Sequence, residues 1–301
     1  MEVSDNVYGK YKINEKILID LIKTKAVQRL KGIRQQGLPK ELHYGVEFTR
    51  YDHSIGVMIL LGKLGATLRE RIAGLLHDVS HKAFSHVYNY YISNKKESHG
   101  DDVFYKFLNK DNQIKEILKT YGYTLKDITN FDSFKLLERS APDLCADRVD
   151  YTLREHIGFK KDRKHLNYLI SNICVIENEI VFKNKKSAMD FYKIYKYFAE
   201  NHWGGKKHMI NYNIFVDVLK RAIKLKIIKE RDFNKTDDYI LNRVLKSKDK
   251  IIVENILKLR TKNIEIPKNY NGFIGKKRFV NPKYKHKDSL LYLLDKNKVM
   301  S

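Results

Sequence analysis

Proline is scarce in this chain, with four residues in 301 at Pro39, Pro142, Pro267 and Pro282. Proline breaks helices because it has no amide N–H and clashes with the preceding turn. The long stretches between these four are therefore free to be helical. Cysteine is scarcer still. Cys145 and Cys174 alone exclude a disulfide framework and fit a reducing, cytoplasmic location. No apolar run approaches the roughly 18 residues of a membrane span. The opening MEVSDNVYGKYKIN has no apolar core, so neither a signal peptide nor a membrane partner is expected.

What is present is a folded, basic chain. It is 43% hydrophobic and 12% aromatic, with a formal charge of +23 supplied mostly by scattered lysine. That composition excludes disorder. The charge has two readings, a compositional bias or attraction for polyanions such as nucleotides or nucleic acid. No Gly/Ser/Pro-rich linker divides the chain. The expected organisation is one domain over residues 1–265, with a basic extension over 266–301 packed on it.

Apolar spacing predicts a mainly α protein with minor β. A hairpin around Gly9 is expected over 7–13. Helices are expected over 15–36, 52–66, 68–79, 101–118 (with a polar break near Lys110-Asp111), 134–156 (started or kinked by Pro142), 187–201, 213–229, 236–247 and 249–259. A second hairpin is expected from Ile173–Ile176 and Glu179–Phe182, split by Glu177-Asn178. The stripe Tyr192-Lys193-Ile194-Tyr195-Lys196-Tyr197 reads as a helix face with packed tyrosines and solvated lysines, or as a nucleic-acid contact.

The strongest chemical signal is histidine. Five of eleven fall between residues 50 and 100: His53, His77, His81, His86 and His99. His77-Asp78 follows the apolar run Ile72–Leu76, so the pair sits at the end of a buried helix. A buried carboxylate needs a partner or an ion. Imidazole nitrogen and carboxylate oxygen are both good ligands for a divalent cation. His81 lies one turn beyond His77 on the same face. The remaining histidines (His43, His156, His165, His202, His208 and His286) lack such company and are read as ordinary core or surface residues.

The segments RYDHSIGV, IAGLLHDVSHKAFSHV and LCADRVDYTLRE, with VYGKYKIN and VQRLKGIRQQG upstream, resemble the HD-domain phosphohydrolases. In particular they resemble the SAM/HD-type deoxynucleoside triphosphate triphosphohydrolases, here without the SAM domain. The resemblance implies an HD-domain helical fold with small β-hairpins. It implies a divalent ion (iron, manganese, zinc or magnesium) on His53, His77, Asp78 and Asp147. It places the catalytic histidines His81, His86 and His99 on the substrate side, with His86 or His99 protonating the leaving group. It assigns substrate contacts to Gln35, Arg50, Arg148, Tyr151 and Glu155. The implied reaction turns a dNTP into a deoxynucleoside and inorganic triphosphate, in a homo-oligomer. Gln36 departs from the family pattern, which has leucine beside the sugar, and Asn89 stands where a carboxylate is usual. An HD phosphodiesterase or nucleotidase acting on other nucleotides or oligonucleotides is the alternative enzyme. A nucleic-acid-binding protein with a vestigial site is the alternative outside enzymes.

Overall fold

The computed structural model describes residues 1–42, 45–93, 101–261, 265–266, 272, 275 and 277–295. The expected mainly α fold is present, with small sheets at its margins. The helix Arg50–Lys63 is the central element. It packs against the helices Leu68–Leu76 and Ala146–Lys160. Among the described residues, no helix is long and apolar enough to cross a membrane.

Several boundaries differ from expectation for local reasons. Strands β1 (Glu2–Asp5) and β2 (Gly9–Lys12) pair with Val3 opposite Tyr11, so the turn lies at residues 6–8, ahead of Gly9. Asp5 makes that turn by accepting the backbone N–H groups of Val7 and Tyr8 through Oδ1. The helix expected over 15–36 is broken into Lys16–Ile22, Lys25–Arg29 and a 3₁₀ turn Leu30–Gly32. Thr24 stops the first piece and caps the second by accepting from Val27 N. The polar break at Asp111 is likewise an N-cap, between Asp101–Lys110 and Asn112–Thr120. The segment over 134–156 is helical only from Ala146 onward, because a residue preceding proline is pushed out of the helical region.

Three helices have no counterpart in the sequence reading, Ser85–Ser93, Leu125–Thr129 and Arg163–Ser171. The expected hairpin forms as β3 (Ile173–Ile176) and β4 (Glu179–Phe182). The C-terminal hairpin β5 (Lys283–His286) and β6 (Ser289–Tyr292) extends this sheet. β5 lies parallel to β4 with Phe182 opposite Tyr284. In the helix Lys185–Phe198, Tyr195 is buried and Tyr192 packs on the core, while Lys193 and Lys196 face solvent. Tyr197 is exposed beside these lysines, so the aromatic-lysine stripe is packed on its Tyr192 and Tyr195 side.

The buried side chains form two clusters. One joins the β1–β2 hairpin, the Arg50–Lys63 helix and its neighbours to the sheet. The other gathers Leu38, Leu42, Phe84 and Val87 with the helices Lys206–Lys224, Asp237–Leu245 and Lys250–Thr261. Residues packed with each cluster line one cavity beside His77 and Asp78, so that cavity lies at their seam, a common place for ligands.

Candidate active site

Helix ends converge on the His-Asp cluster. Thr49 and Asp52 form a capping box that starts the Arg50–Lys63 helix, which carries His53 in its first turn. His77 is the C-cap of Leu68–Leu76, with Asp78 directly after it. Asp147 lies in the first turn of Ala146–Lys160, where the helix dipole favours a carboxylate.

The ligand atoms of His53, His77 and Asp147 lie within 4.8 Å of one another. His53 Nε2 is 2.8 Å from Asp147 Oδ1 and 3.3 Å from His77 Nε2. Asp78 Oδ1 is 3.5 Å from His77 Nε2 and 3.2 Å from His81 Nε2. The opposite ring nitrogens are committed. His53 Nδ1 donates to Asp150 Oδ2 at 2.7 Å, and His77 Nδ1 donates to the Gly74 carbonyl at 2.7 Å. These bonds commit both Nδ1 atoms and turn both Nε2 atoms toward each other and toward Asp147. His53, His77 and Asp147 together fit a divalent cation, with Asp78 beside His77 but outside that mutually close group. Burial pulls the His53 imidazole down, but its bonds to Asp147 and Asp150 outweigh this and carry it up to about 9. Burial alone would raise Asp78; Arg50, His77 and His81 hold it well below the usual carboxylate range.

A second group, Glu138, Cys145 and Asp147, is equally close. There the Arg148 guanidinium already supplies the positive charge. Its Nη1 is 3.1 Å from Cys145 Sγ and its Nη2 is 3.2 Å from Glu138 Oε1. Burial pushes the Cys145 thiol up and keeps it from being a thiolate ligand.

The cluster opens onto an inner cavity of about 190 Å³. Its aromatic walls come from Tyr151, Trp203, Tyr90 and Tyr212, and its polar lining includes Gln35, Arg50, His81 and His86. Trp203 closes a π-helical turn, Ala199–Trp203, a distortion frequent at functional sites. Its Nε1 donates to Glu155 at 3.4 Å, and Gln36 Nε2 donates to the same carboxylate oxygen. Burial pushes Glu155 up to about 7. Gln35, on the cavity wall, has a buried Oε1 with no hydrogen-bond partner. Tyr151 Oη lies 3.2 Å from Tyr195 Oη.

Arg50 is only 2% exposed. Its Nη1 donates to Asp78 Oδ2 at 2.7 Å and its Nε to Ser85 Oγ at 2.6 Å. It therefore orients a cluster carboxylate as well as lining the cavity. Burial lowers His86 far below its ordinary value, and Arg50 and Arg278 add to this. Arg50 Nη2 stands 3.5 Å from His86 Nε2. Arg148 lies apart from the inner cavity. It lines an outer one that meets the first at His77, Asp78, His81 and Glu138. His99 lies outside the described residues.

Sequence reasoning missed three features of the site. Asp150 orients His53 and is itself held by Arg154. The signal was available, since Asp147, Asp150, Tyr151, Arg154 and Glu155 fall on one helical face. Arg278 reaches the cavity wall from the C-terminal arm. Asp237 is the third. Its Oδ2 accepts Arg34 N and its Oδ1 accepts Phe84 N, at 2.8 and 2.7 Å. It thereby ties the loop carrying Gln35 and Gln36 to the turn carrying His86. That turn is strained, with Phe84 and Ser85 both at positive φ. Gly37, also at positive φ, is packed so closely that a Cβ would lie 2.5 Å from the Phe84 carbonyl. Asp237→Asn replaces one acceptor with a second N–H donor. It is expected to destabilise the fold by about 1–3 kcal/mol, read as a shift in the urea midpoint at unchanged m-value.

Comparison with known proteins agrees with this geometry. Residues 50–155 match the model of the HD domain family. The chain is 38% identical over 268 residues to the uncharacterized protein YdhJ of Bacillus subtilis, covering 87% of this chain and 79% of that one. The chain belongs to the HD-domain phosphohydrolases. It is 36% identical over 159 residues to the metal-dependent phosphohydrolase cns2 of Cordyceps militaris, covering 53% of this chain and 46% of the relative. It is 27% identical over 221 residues to the deoxynucleoside triphosphate triphosphohydrolase SAMHD1 of Gallus gallus, covering 66% of this chain and 33% of the relative. This HD-domain protein therefore spans less than half the length of the latter two. Its family and its His/Asp cluster call for a divalent metal ion.

Proposed function

We propose that this metal-dependent HD-domain phosphohydrolase hydrolyses deoxynucleoside triphosphates to deoxynucleoside and inorganic triphosphate. The observation that carries the reading is the His53–His77–Asp147 cluster at the floor of an aromatic-walled cavity that also holds arginine. Similarity to a triphosphohydrolase supports the choice of substrate. His53, His77, Asp78 and Asp147 would hold the ion, which when bound polarises the phosphoryl group and lowers the pKa of a coordinated water. Arg50 keeps the Asp78 carboxylate in position. Tyr151 and Trp203 pack the nucleoside and Gln35 bonds the sugar, with Glu155 behind them holding Trp203 and Gln36. His81, beside Asp78, serves proton transfer on the phosphate side. Arg148 meets the phosphate chain where the outer cavity opens.

One observation favours a second reading, an HD nucleotidase or phosphodiesterase. The inner cavity of about 190 Å³ is below the roughly 300–1,000 Å³ typical of sites for larger ligands. A panel of dNTPs, NTPs, nucleoside monophosphates and short oligonucleotides, run with each of several divalent metals, separates the two. Nucleoside plus intact triphosphate is the expected product pair. Stepwise release of single phosphates, or turnover of monophosphates alone, would overturn the triphosphohydrolase reading.

A further inference from the structure

The C-terminal arm is bolted beside the active site. Val280 and Asn281 are buried. Asn281 N donates to the Pro142 carbonyl at 2.9 Å, in the loop that leads into the helix carrying Asp147. The Asn281 side chain donates to Leu294 O and accepts from Leu294 N, both at 2.9 Å. The strand β5, two residues further on, joins β4. Three residues before Asn281, Arg278 stands on the wall of the inner cavity together with Arg50, His86 and Tyr151.

The other arginines near the cluster are differently placed. Arg50 enters from the first turn of its own helix, beside Asp78 and Ser85. Arg148 is bound to Glu138 and Cys145 on the outer cavity. Arg278 brings a guanidinium fork, suited to phosphate oxygens, onto the cavity wall from a segment anchored three residues further on at Asn281.

We propose that Arg278 binds an anionic group of the substrate other than the phosphoryl group held at the His/Asp cluster, which makes the C-terminal arm part of the active site. This rests on the phosphohydrolase reading and narrows the substrate to phosphate compounds with a second anionic group in reach of the first. The test compares wild type, Arg278→Ala and Arg278→Lys, each loaded with manganese. Calorimetric binding of inorganic tripolyphosphate and of orthophosphate is measured beside metal content and melting temperature. Arg278→Ala is expected to weaken tripolyphosphate binding about tenfold to a hundredfold and to leave orthophosphate binding, metal content and melting unchanged. Arg278→Lys, a point charge without the fork, should recover part of the loss.

Wild-type tripolyphosphate affinity in Arg278→Ala overturns the proposal, as does absence of tripolyphosphate binding in wild type. An equal loss for both anions overturns it too, since that marks a general disturbance of the site. If the alanine variant fails to fold, Arg278→Gln carries the same comparison. Selective loss of tripolyphosphate binding in an enzyme that hydrolyses no dNTP would support Arg278 while rejecting the dNTP reading.

Discussion

Asp147→Ala is expected to remove bound metal and phosphohydrolase activity together. Asp147 Oδ1 is the oxygen that meets both imidazoles, 2.8 Å from His53 Nε2 and 3.7 Å from His77 Nε2. Without it, two facing imidazole nitrogens remain with one fewer anion to share a cation. Metal catalysis of this type is worth several kcal/mol, so the rate should fall on the order of a thousandfold or more. The wild type also has a pH signature. The His53 imidazole is carried up to about 9, so a cation entering the cluster must displace a proton. Affinity for manganese should therefore rise with pH between 6 and 9. The slope should flatten in Asp147→Ala, where a carboxylate that raises His53 is gone. Elemental analysis, a manganese titration at several pH values and a substrate panel check this. Full metal occupancy with normal turnover in the variant would remove Asp147 from the ligand set.

The cluster was legible because its chemistry is concentrated in sequence. RYDHS, HDVSH and ADRVD each bring a rare combination of residues to a helix end. The helical class was legible from spacing, and the Ile173–Phe182 hairpin from its turn residues. Other features depend on partners distant in the chain. Asp237 reads as an ordinary first-turn acid of Asp237–Leu245, and only tertiary structure puts it under Arg34 and Phe84. Arg278 reads as one residue of a basic tail until Asn281 and β5 fix its path. Arg148 lies on the same helix as Asp147, yet adjacent helical residues point about 100° apart. It therefore turns away into the outer cavity. Asp5 reads as a turn residue, and nothing local reveals that its second oxygen serves a helix almost 150 positions away.

That last contact gives the largest expected effect on stability. Arg154 Nε donates to Asp150 Oδ2 at 2.6 Å and Nη2 to Asp5 Oδ2 at 2.7 Å, all within the buried interior. The helix Arg50–Lys63 makes room with Gly56, where a Cβ would fall 1.7 Å from Arg154 Nη2. Burial lowers the guanidinium pKa, but Asp150 and Asp5 outweigh it and hold the charge in place. Arg154→Ala leaves two buried carboxylates without their cation. Breaking a buried pair in this way costs about 3–5 kcal/mol, a large part of the roughly 5–15 kcal/mol that stabilises a domain.

A second readout follows from the carboxylates left behind. Asp150 also loses the group that orients it toward His53, so manganese affinity should drop about tenfold to a hundredfold. Urea unfolding and a manganese titration read both effects. A deficit under about 1 kcal/mol, the worth of an exposed pair, would mean that Arg154 is no buried link between the hairpin turn and the His53 ligand.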